Sequence, residues 1–409
     1  MLKKQSIYIR RLSIKYLSME YFLLSIFFIW RLTLFLIAWL GEKLVSFTPS
    51  FPYSDIYLIP SGLPNWLWSF ANFDGVHYLT IAISGYSAQF TQVFFPLYPL
   101  LVGLLIKLFL FLPPIIIGLL VSNLFFLFAL VVAWKLFYLD YKKQEIRWMI
   151  LFLSFFPTSF FFGSFYTESF FLFLVITSFY FARKRQWLIS GILGGLASAT
   201  RLVGIFLLPA LLWEWHRNIK YTNNKLNSKD LFSKTLHSTF NILHSPILYL
   251  VPLGLISYMC YLQYKFGDFL YFWHAQPVFG AQRSGEGMIL LPQVIFRYLK
   301  ILLSIPTSSL IFWTSFSELL FCLVVILLLL IAHRLRIRLS YLIFSWLALL
   351  APTLTGTFSS IPRYVLVVFP IYIVLGLIKN KILKVLILTI FFILLSLYTI
   401  LFTSGHWVS

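Results

Sequence analysis

The feature that most constrains this chain is a series of long apolar runs separated by short clusters of basic residues. Hydrophobic residues fill 60% of the 409 positions, and charged residues fill only 11%. A soluble domain needs more polar surface than this to cover its core. Runs near the ~20 residues that cross a bilayer predict an all-α polytopic membrane protein, with the whole chain, 1–409, as one module.

The basic clusters predict the topology. The formal net charge is +20, but the basic residues lie between apolar runs instead of gathering on one binding face. This distribution follows the positive-inside rule and argues against nucleic acid as a partner. Most of the 32 lysines and arginines fall in six clusters that we expect in the cytoplasm, within residues 3–15, 142–147, 183–185, 217–234, 334–338 and 379–384.

An even number of crossings must then separate neighbouring clusters. Eleven spans meet this condition, with the N-terminus inside, the C-terminus outside and the hairpin 187–214 reaching only partway: 20–40, 114–138, 147–163, 168–182, 187–199, 201–214, 246–263, 308–332, 340–356, 363–378 and 384–403. The run at 21–40 lacks a convincing cleavage site, so we expect a retained first helix and not a signal peptide.

One apolar run, 93–111, does not fit this scheme. It contains Pro96, Pro99 and Lys107, and counting it as a span would place the cluster at 142–147 outside. We interpret it as a juxtamembrane or re-entrant segment on the outer side. The alternative is a hairpin of two spans, which would invert the topology upstream of it. Cys260 and Cys322 lie in or beside apolar runs and are predicted to be packing residues.

The segment 72–86, NFDGVHYLTIAISGY, falls in the first predicted outer loop. Asn72 is a good N-cap for a helix that begins at Phe73, and Gly85 is a natural end for it. Asp74 would lie in the first turn, where the helix dipole favours the charged carboxylate. A carboxylate held ionised at a membrane surface suits a base that takes a proton from a hydroxyl. The alternative is that Asp74 only starts the helix.

Asp74, His77 and Tyr78 are three and four positions apart and therefore share one face of this helix. Asp74 and His77 could also form a pair of metal ligands. A metal site needs at least a third ligand, and none is visible in the sequence. We therefore predict no metal and no cofactor.

Three further clusters contain candidate site residues. Glu168 is an ionisable group in the apolar hairpin 155–169, beside Tyr166; it is a functional candidate unless it simply meets water at a turn. Arg201 and Arg363 are expected at outer helix ends, where a lipid phosphate would suit a buried guanidinium. The alternative for both arginines is a structural ion pair with Glu168 or Asp74.

The segment 267–287 mixes aromatic residues with His274, Gln276, Gln282 and Arg283. Aromatic faces and amides often line sugar sites, although an interfacial aromatic belt has a similar composition.

Several of these residues together resemble a known family. The stretch Phe73 to Ala82 with Gly85-Tyr86 looks like the first-loop motif of the GPI mannosyltransferase 2 (PIG-V) family. Supporting blocks cover the chain from about 70 to 365: Phe94–Leu100, Phe156-Pro157, Tyr166–Ser169 and Arg363-Tyr364, with Gly267-Asp268 and Ala275-Gln276 similar to a looser pattern of bacterial members. One departure is Phe73, where the family often has tryptophan.

The resemblance implies a GT-C glycosyltransferase fold, with about eleven transmembrane helices and juxtamembrane helices in the first outer loop. It implies transfer of mannose from a polyprenyl-phosphate-mannose donor to a lipid-linked or envelope glycan acceptor on the non-cytoplasmic face, with inversion and with Asp74 as the catalytic residue. Substrate-binding residues would be His77, Tyr78, Tyr166, Glu168, Arg201, His274, Gln276, Arg363 and Tyr364.

Two alternatives stay open at this stage. One is a polyprenyl-phosphate-dependent transferase of another sugar, since pocket shape is not legible in the sequence. The other is a lipid or sugar transporter, which would need inverted repeats and broken helices at the midplane, and no repeat is visible. We expect a multi-pass protein of a bacterial plasma membrane, with the endoplasmic reticulum membrane as the alternative.

Overall fold

A computed structural model describes residues 2–223, 245–279, 283–284 and 287–408. Within these ranges the chain forms helices, turns and loops, and no strand. Helices of eight residues or more are numbered in chain order: α1 (Leu2–Leu44), α2 (Asp74–Ser84), α3 (Leu97–Leu108), α4 (Pro114–Phe137), α5 (Lys143–Ser154), α6 (Glu168–Arg183), α7 (Trp187–Thr200), α8 (Leu207–Asn223), α9 (Pro246–Phe266), α10 (Leu291–Ser304), α11 (Leu310–Arg334), α12 (Leu339–Thr353), α13 (Pro370–Leu377) and α14 (Lys381–Thr403).

Among the residues that the structure describes, five helices are long and apolar enough to cross a membrane. They are α4, α9, α11, α14 and the part of α1 from Met19 to Leu44, and each coincides with a span predicted from the sequence. The prediction of an all-α membrane protein with several crossings is confirmed at this level. The remaining predicted spans contain shorter helices, so the count of eleven stays a prediction.

The predicted spans 147–163 and 363–378 each contain a helix much shorter than the range. Helix α5 ends at Ser154, and the chain continues as a loop past Pro157. Helix α13 has only eight residues because it begins at Pro370, which lacks the N–H that would continue a helix from the preceding turn. Helix α3, in the run 93–111, has 12 residues, or about 18 Å, which is short for a crossing.

Helices α7 and α9 pack closely through glycines. A Cβ atom on Gly254 would lie only 1.9 Å from the carbonyl oxygen of Gly195, so neither backbone leaves room for a side chain there. Ser198 Oγ donates a hydrogen bond of 2.6 Å to the Val251 carbonyl across the same interface. Small residues of this kind allow two helix backbones to approach without a layer of side chains between them.

A buried loop, residues 155–167, joins the parts of the fold that carry the candidate site. Residues 156–167 are buried throughout. Tyr166 donates its hydroxyl hydrogen to the Asn72 carbonyl at 2.8 Å, just before α2. Thr158 Oγ1 donates at 2.6 Å to the Pro362 carbonyl, in the helical turn Ile361–Tyr364. This loop therefore holds the start of α2 next to the turn that carries Arg363.

The start of α2 differs from the prediction. The helix begins at Asp74 after Phe73, whose φ is 56°, and no side chain caps it. Asn72 is not the N-cap, because its Nδ2 donates at 2.8 Å to the Phe402 carbonyl near the end of α14. The last carbonyl groups of a helix have no hydrogen-bond partner within the helix, and the Asn72 side-chain amide donates to one of them, that of Phe402. The predicted end at Gly85 is confirmed, with φ 66°.

Cys322 is buried, as expected of a packing residue, whereas Cys260 is exposed on α9 and is not enclosed by the protein. Most of the basic cluster at 217–234 lies outside the described residues, as does Gln282.

Candidate active site

A single large cavity brings most of the predicted site residues together. Its volume is about 1680 Å³, and its wall includes α2, the first residue of α6, the Ile361–Tyr364 turn and parts of α10 and α11. Eight of the ten predicted residues line it: Asp74, His77, Tyr78, Glu168, Arg201, Gln276, Arg363 and Tyr364.

The other two predicted residues lie elsewhere. Tyr166 is fully buried behind α2, where its hydroxyl bonds the Asn72 carbonyl. His274 is exposed, with Nδ1 2.7 Å from Asp268 Oδ2, and is not part of the cavity wall. Contact between substrate and either side chain stays a prediction. Tyr166 is instead well placed to position α2.

Four charged residues form one continuous network in the cavity wall, which we call the ion-pair quartet: Asp74, Glu168, Arg201 and Arg363. Arg363 Nη1 lies 2.5 Å from Asp74 Oδ2, and Arg201 Nη1 lies 2.6 Å from Glu168 Oε1. Arg363 Nε is 3.4 Å from the same Glu168 oxygen and links the two pairs. For Arg201 and Arg363, the sequence left open an ion pair with Glu168 or Asp74 as the alternative to phosphate binding. These ion pairs are present.

The local fold explains where these charges lie. Asp74 and Glu168 are each the first residue of a helix, α2 and α6, where the positive end of the helix dipole stabilises a carboxylate. Arg201 follows the end of α7 in an extended conformation, with φ −153°. Arg363 lies in the short turn that starts after Ser360, whose φ is 68°. Phe73 and Ser360 both have positive φ, a conformation that a non-glycine residue keeps only when its surroundings enforce it.

Burial and neighbouring charge set the protonation of the cavity side chains. Burial acts to raise the pKa of Asp74, but the Arg363 guanidinium outweighs it and holds that pKa below its usual value of 3.8. Asp74 is therefore ionised at neutral pH. Burial lowers the pKa of His77 from 6.5, although Asp74 opposes this shift, so the imidazole is neutral there. The His77 ring stacks on Phe94, with centroids 5.0 Å apart.

The quartet keeps unused hydrogen-bonding capacity. Arg363 Nε and Glu168 Oε2 are buried and have no hydrogen-bond partner among the described residues. The Tyr364 ring lies under both guanidinium groups, 5.0 Å from Arg201 Cζ and 5.1 Å from Arg363 Cζ. The network thus holds the two arginines in place, with Arg363 Nε facing Glu168 Oε1 at 3.4 Å and Glu168 Oε2 without a bond within the described ranges.

The described part of the cavity wall carries excess positive charge. Among its described residues, five basic side chains face three carboxylates: Arg201, Arg283, Arg297, Lys300 and Arg363 against Asp74, Glu168 and Glu318. The two arginines of the quartet balance its two carboxylates. The surplus positive charge therefore comes from Arg283, Arg297 and Lys300, which face only Glu318. An excess of this sign attracts an anionic ligand.

Sequence reasoning missed several of these residues. Glu318 is a single carboxylate within the apolar run 308–332, and an ionisable residue in a span is a signal that should have marked it. Arg297 and Lys300 are three positions apart on α10 and so share one face, but α10 had not been predicted as an element. Arg283 was noted only as part of a polar segment.

In the described ranges, no group of three or more histidine, cysteine, aspartate or glutamate side chains is close enough to hold a metal ion. No known protein family, no curated protein and no solved structure matches this chain.

Proposed function

We propose that this chain is a membrane glycosyltransferase of the GT-C type that takes mannose from a polyprenyl-phosphate carrier. The acceptor would be a hydroxyl of a lipid-linked or envelope glycan on the non-cytoplasmic face of a bacterial plasma membrane. The observation that carries this proposal is the ion-pair quartet, with an ionised Asp74, in the wall of one large cavity in a chain with membrane-crossing helices. The resemblance to the PIG-V family supports it.

The cavity suits an amphipathic donor. Apolar side chains line much of its wall, including Val203, Ile205, Phe206, Ile301 and Ile305. They offer a prenyl chain a surface as apolar as lipid. The excess of basic side chains attracts the phosphate of the carrier, and guanidinium groups bind phosphate with two parallel hydrogen bonds.

In the proposed reaction the acceptor oxygen attacks C1 of the sugar while Asp74 takes its proton. A bond forms between C1 and the acceptor oxygen. The bond between C1 and the phosphate oxygen breaks, and its electron pair stays on the phosphate. Attack opposite the departing phosphate inverts the configuration at C1. His77 and Tyr78, on the same wall as Asp74, would orient sugar or acceptor hydroxyls.

The pairing with Arg363 makes Asp74 a weak base while the site is empty, because the guanidinium lowers the pKa of the carboxylate. A phosphate would compete with Asp74 for this guanidinium, whose Nε lies 3.4 Å from Glu168 Oε1 without a hydrogen bond to it. As Arg363 shifts toward the phosphate, Asp74 loses part of the charge that lowers its pKa and becomes a better proton acceptor. Donor binding would thus raise the pKa of Asp74 and make it a stronger base. The arginines would stabilise the charge that develops on the leaving phosphate.

The test is release or transfer of mannose from polyprenyl-phosphate-mannose by the purified protein in lipid nanodiscs. We expect Asp74→Asn to lower turnover by roughly 10²- to 10⁴-fold, the range for loss of a general base. Asp55→Asn is the matched control, because Asp55 is an exposed aspartate of the same region outside the cavity wall.

Near-normal turnover by a folded Asp74→Asn protein would remove Asp74 as the base. Turnover of another prenyl-linked sugar, with mannose refused by the wild type, would keep the reaction class and change the donor. No turnover of any prenyl-linked sugar would overturn the proposed function.

A further inference from the structure

A second polar cluster lies in the same cavity, away from the ion-pair quartet. Glu318 on α11 is only 5% exposed, and its Oε2 accepts a hydrogen bond of 2.6 Å from the Tyr298 hydroxyl. The Tyr298 oxygen is 3.0 Å from Thr357 Oγ1 and accepts a bond of 3.0 Å from the Phe358 backbone N–H. Glu318, Tyr298 and Thr357 all line the cavity. The proposed transfer reaction uses none of them.

Glu318 differs from the other two cavity carboxylates in how its charge is compensated. Asp74 and Glu168 each contact an arginine, whereas no ion pair within the described ranges involves Glu318. Its neighbours are neutral donors: the Tyr298 hydroxyl, the Ser360 backbone N–H and the Trp407 indole N–H. A carboxylate has two oxygens with about four acceptor positions, so a ligand hydroxyl can still bond to it.

This cluster borders the quartet. Arg283 lines the same cavity as Asp74 and Glu318. The Trp407 ring packs edge-on against Phe73, the residue before Asp74, with centroids 5.3 Å apart. A molecule held at Glu318 and Trp407 would therefore lie close to the start of α2.

We propose that Glu318, Tyr298, Thr357 and Trp407 form a second subsite that binds a neutral, hydroxyl-rich ring. If the proposed function holds, on which this assignment of the occupant rests, the ring is the acceptor sugar. Glu318 accepts hydrogen bonds from its hydroxyls, Thr357 donates or accepts one, and the Trp407 indole covers the apolar face of the ring. Tyr298 orients the carboxylate. An ammonium group is the other natural partner of a carboxylate, but the five cations of the cavity wall disfavour it.

Binding of methyl α-D-mannopyranoside to the protein in nanodiscs, followed by tryptophan fluorescence, tests this subsite. We expect saturable binding that Glu318→Gln weakens roughly tenfold or more, the effect of losing a hydrogen bond to a charged group. Glu145→Gln is the matched control, because Glu145 caps α5 outside the cavity wall. Should Glu318→Gln fail to fold, Thr357→Val removes one cavity hydroxyl without touching the carboxylate, and we expect it to weaken binding several-fold.

Equal affinities of the wild type and folded Glu318→Gln, or no saturable binding by the wild type, would overturn the subsite. Tighter Glu318-dependent binding of D-glucosamine than of the mannoside would also overturn it in favour of an ammonium site. Donor turnover is measured separately. If the protein turns over a donor but its sugar binding does not depend on Glu318, only the proposed subsite is ruled out. If sugar binding depends on Glu318 but no donor is turned over, only the proposed transferase function is ruled out.

Discussion

Arg363 Nη1 lies 2.5 Å from Asp74 Oδ2, although 289 positions separate the two residues in the sequence. The same guanidinium lies 3.4 Å from Glu168 Oε1, so a single arginine serves two carboxylates in the cavity wall. Only 7% of the Arg363 side chain and 3% of the Glu168 side chain are exposed, which leaves little solvent to screen these charges. The first loop, α6 and the turn before α13 are therefore held together by charge as well as by packing.

Replacement of Arg363 alone should destabilise the fold more than replacement of both Arg363 and Asp74. We expect Arg363→Gln to lower the free energy of unfolding by about 3 kcal/mol, since it leaves the largely buried Asp74 carboxylate without its ion-pair partner. The double variant with Asp74→Asn should regain part of this loss. Thermal unfolding of the single and double variants in one detergent measures the coupling, and Arg334→Gln, at an exposed arginine at the end of α11, is the control. Strictly additive effects would show that the pair does not contribute to stability.

As the pH falls from neutral, the fold should lose stability first through protonation of His77 and only at lower pH through protonation of Asp74. Burial lowers the pKa of His77 from 6.5 in the folded protein, so the unfolded chain binds a proton first and stability falls as the pH drops below 6.5. The pKa of Asp74 lies below 3.8, so its contribution is complete above that value and is lost only as the pH falls through the folded pKa.

Melting temperatures of the wild type and His77→Gln are compared between about pH 8 and about pH 5, where carboxylates of ordinary pKa stay charged. The other groups that titrate in this range are common to both proteins, so the difference between the two profiles reports on His77. We expect the wild type to lose more stability over this range than His77→Gln does. Identical pH profiles of the two proteins would mean that the His77 ring is not held neutral by its surroundings.

The part of the fold that could be predicted from the sequence is the set of long apolar helices. A run such as 114–138 contains enough consecutive apolar residues to cross a bilayer, and α4 occupies nearly the same range. The prediction fails where a buried segment is not α-helical. The predicted span 147–163 is α-helical only to Ser154, and residues 155–163 form turns and the short 3₁₀ helix Ser159–Gly163. Backbone and hydroxyl groups of residues 155–167 bond instead to distant segments such as 70–72 and 362.

The site could be predicted residue by residue but not as a network. An ionisable residue among apolar neighbours is costly to bury and is therefore a functional candidate. This argument selects Asp74, Glu168, Arg201 and Arg363 one at a time. Which of them pair depends on the packing of α2, α6 and α7, which one sequence does not specify. Glu318 was overlooked because it lies alone in a run that reads as an ordinary span, with its partner Tyr298 on a helix that had not been predicted.

The close contact of α7 with α9 should tolerate no added side chain. A Cβ atom on Gly254 would lie 1.9 Å from the Gly195 carbonyl oxygen and 2.7 Å from the Ala199 nitrogen, so the two helices must separate to admit it. We expect Gly254→Ala to cost on the order of 1–3 kcal/mol, as overpacking does elsewhere. The control is Gly287→Ala, because an added Cβ there would meet nothing within 4 Å. Similar melting temperatures of both variants would show that the interface is looser than described.

Separation of α7 from α9 would also move Arg201, which directly follows α7. Gly254→Ala should therefore lower turnover of the donor in addition to stability, whereas Gly287→Ala should change neither.

The hydroxyl of Tyr166 should matter for activity through the position of α2. It donates at 2.8 Å to the Asn72 carbonyl, two residues before Asp74, and Tyr166→Phe leaves that buried carbonyl without this bond. We expect a loss of about 1 kcal/mol in stability. Tyr372→Phe is the matched control, because Tyr372 is also fully buried and donates to a backbone carbonyl, that of Leu366, at 3.2 Å.

Both variants should lose comparable stability, but only Tyr166→Phe should lower the turnover of polyprenyl-phosphate-mannose. We expect this loss in kcat with little change in KM, because a displaced α2 moves the Asp74 carboxylate away from the acceptor proton while the arginines proposed to bind phosphate stay in place. A rise in KM alone would mean that Tyr166 contacts substrate, as predicted from the sequence. Equal activities of the two variants would show that this hydrogen bond does not position the base.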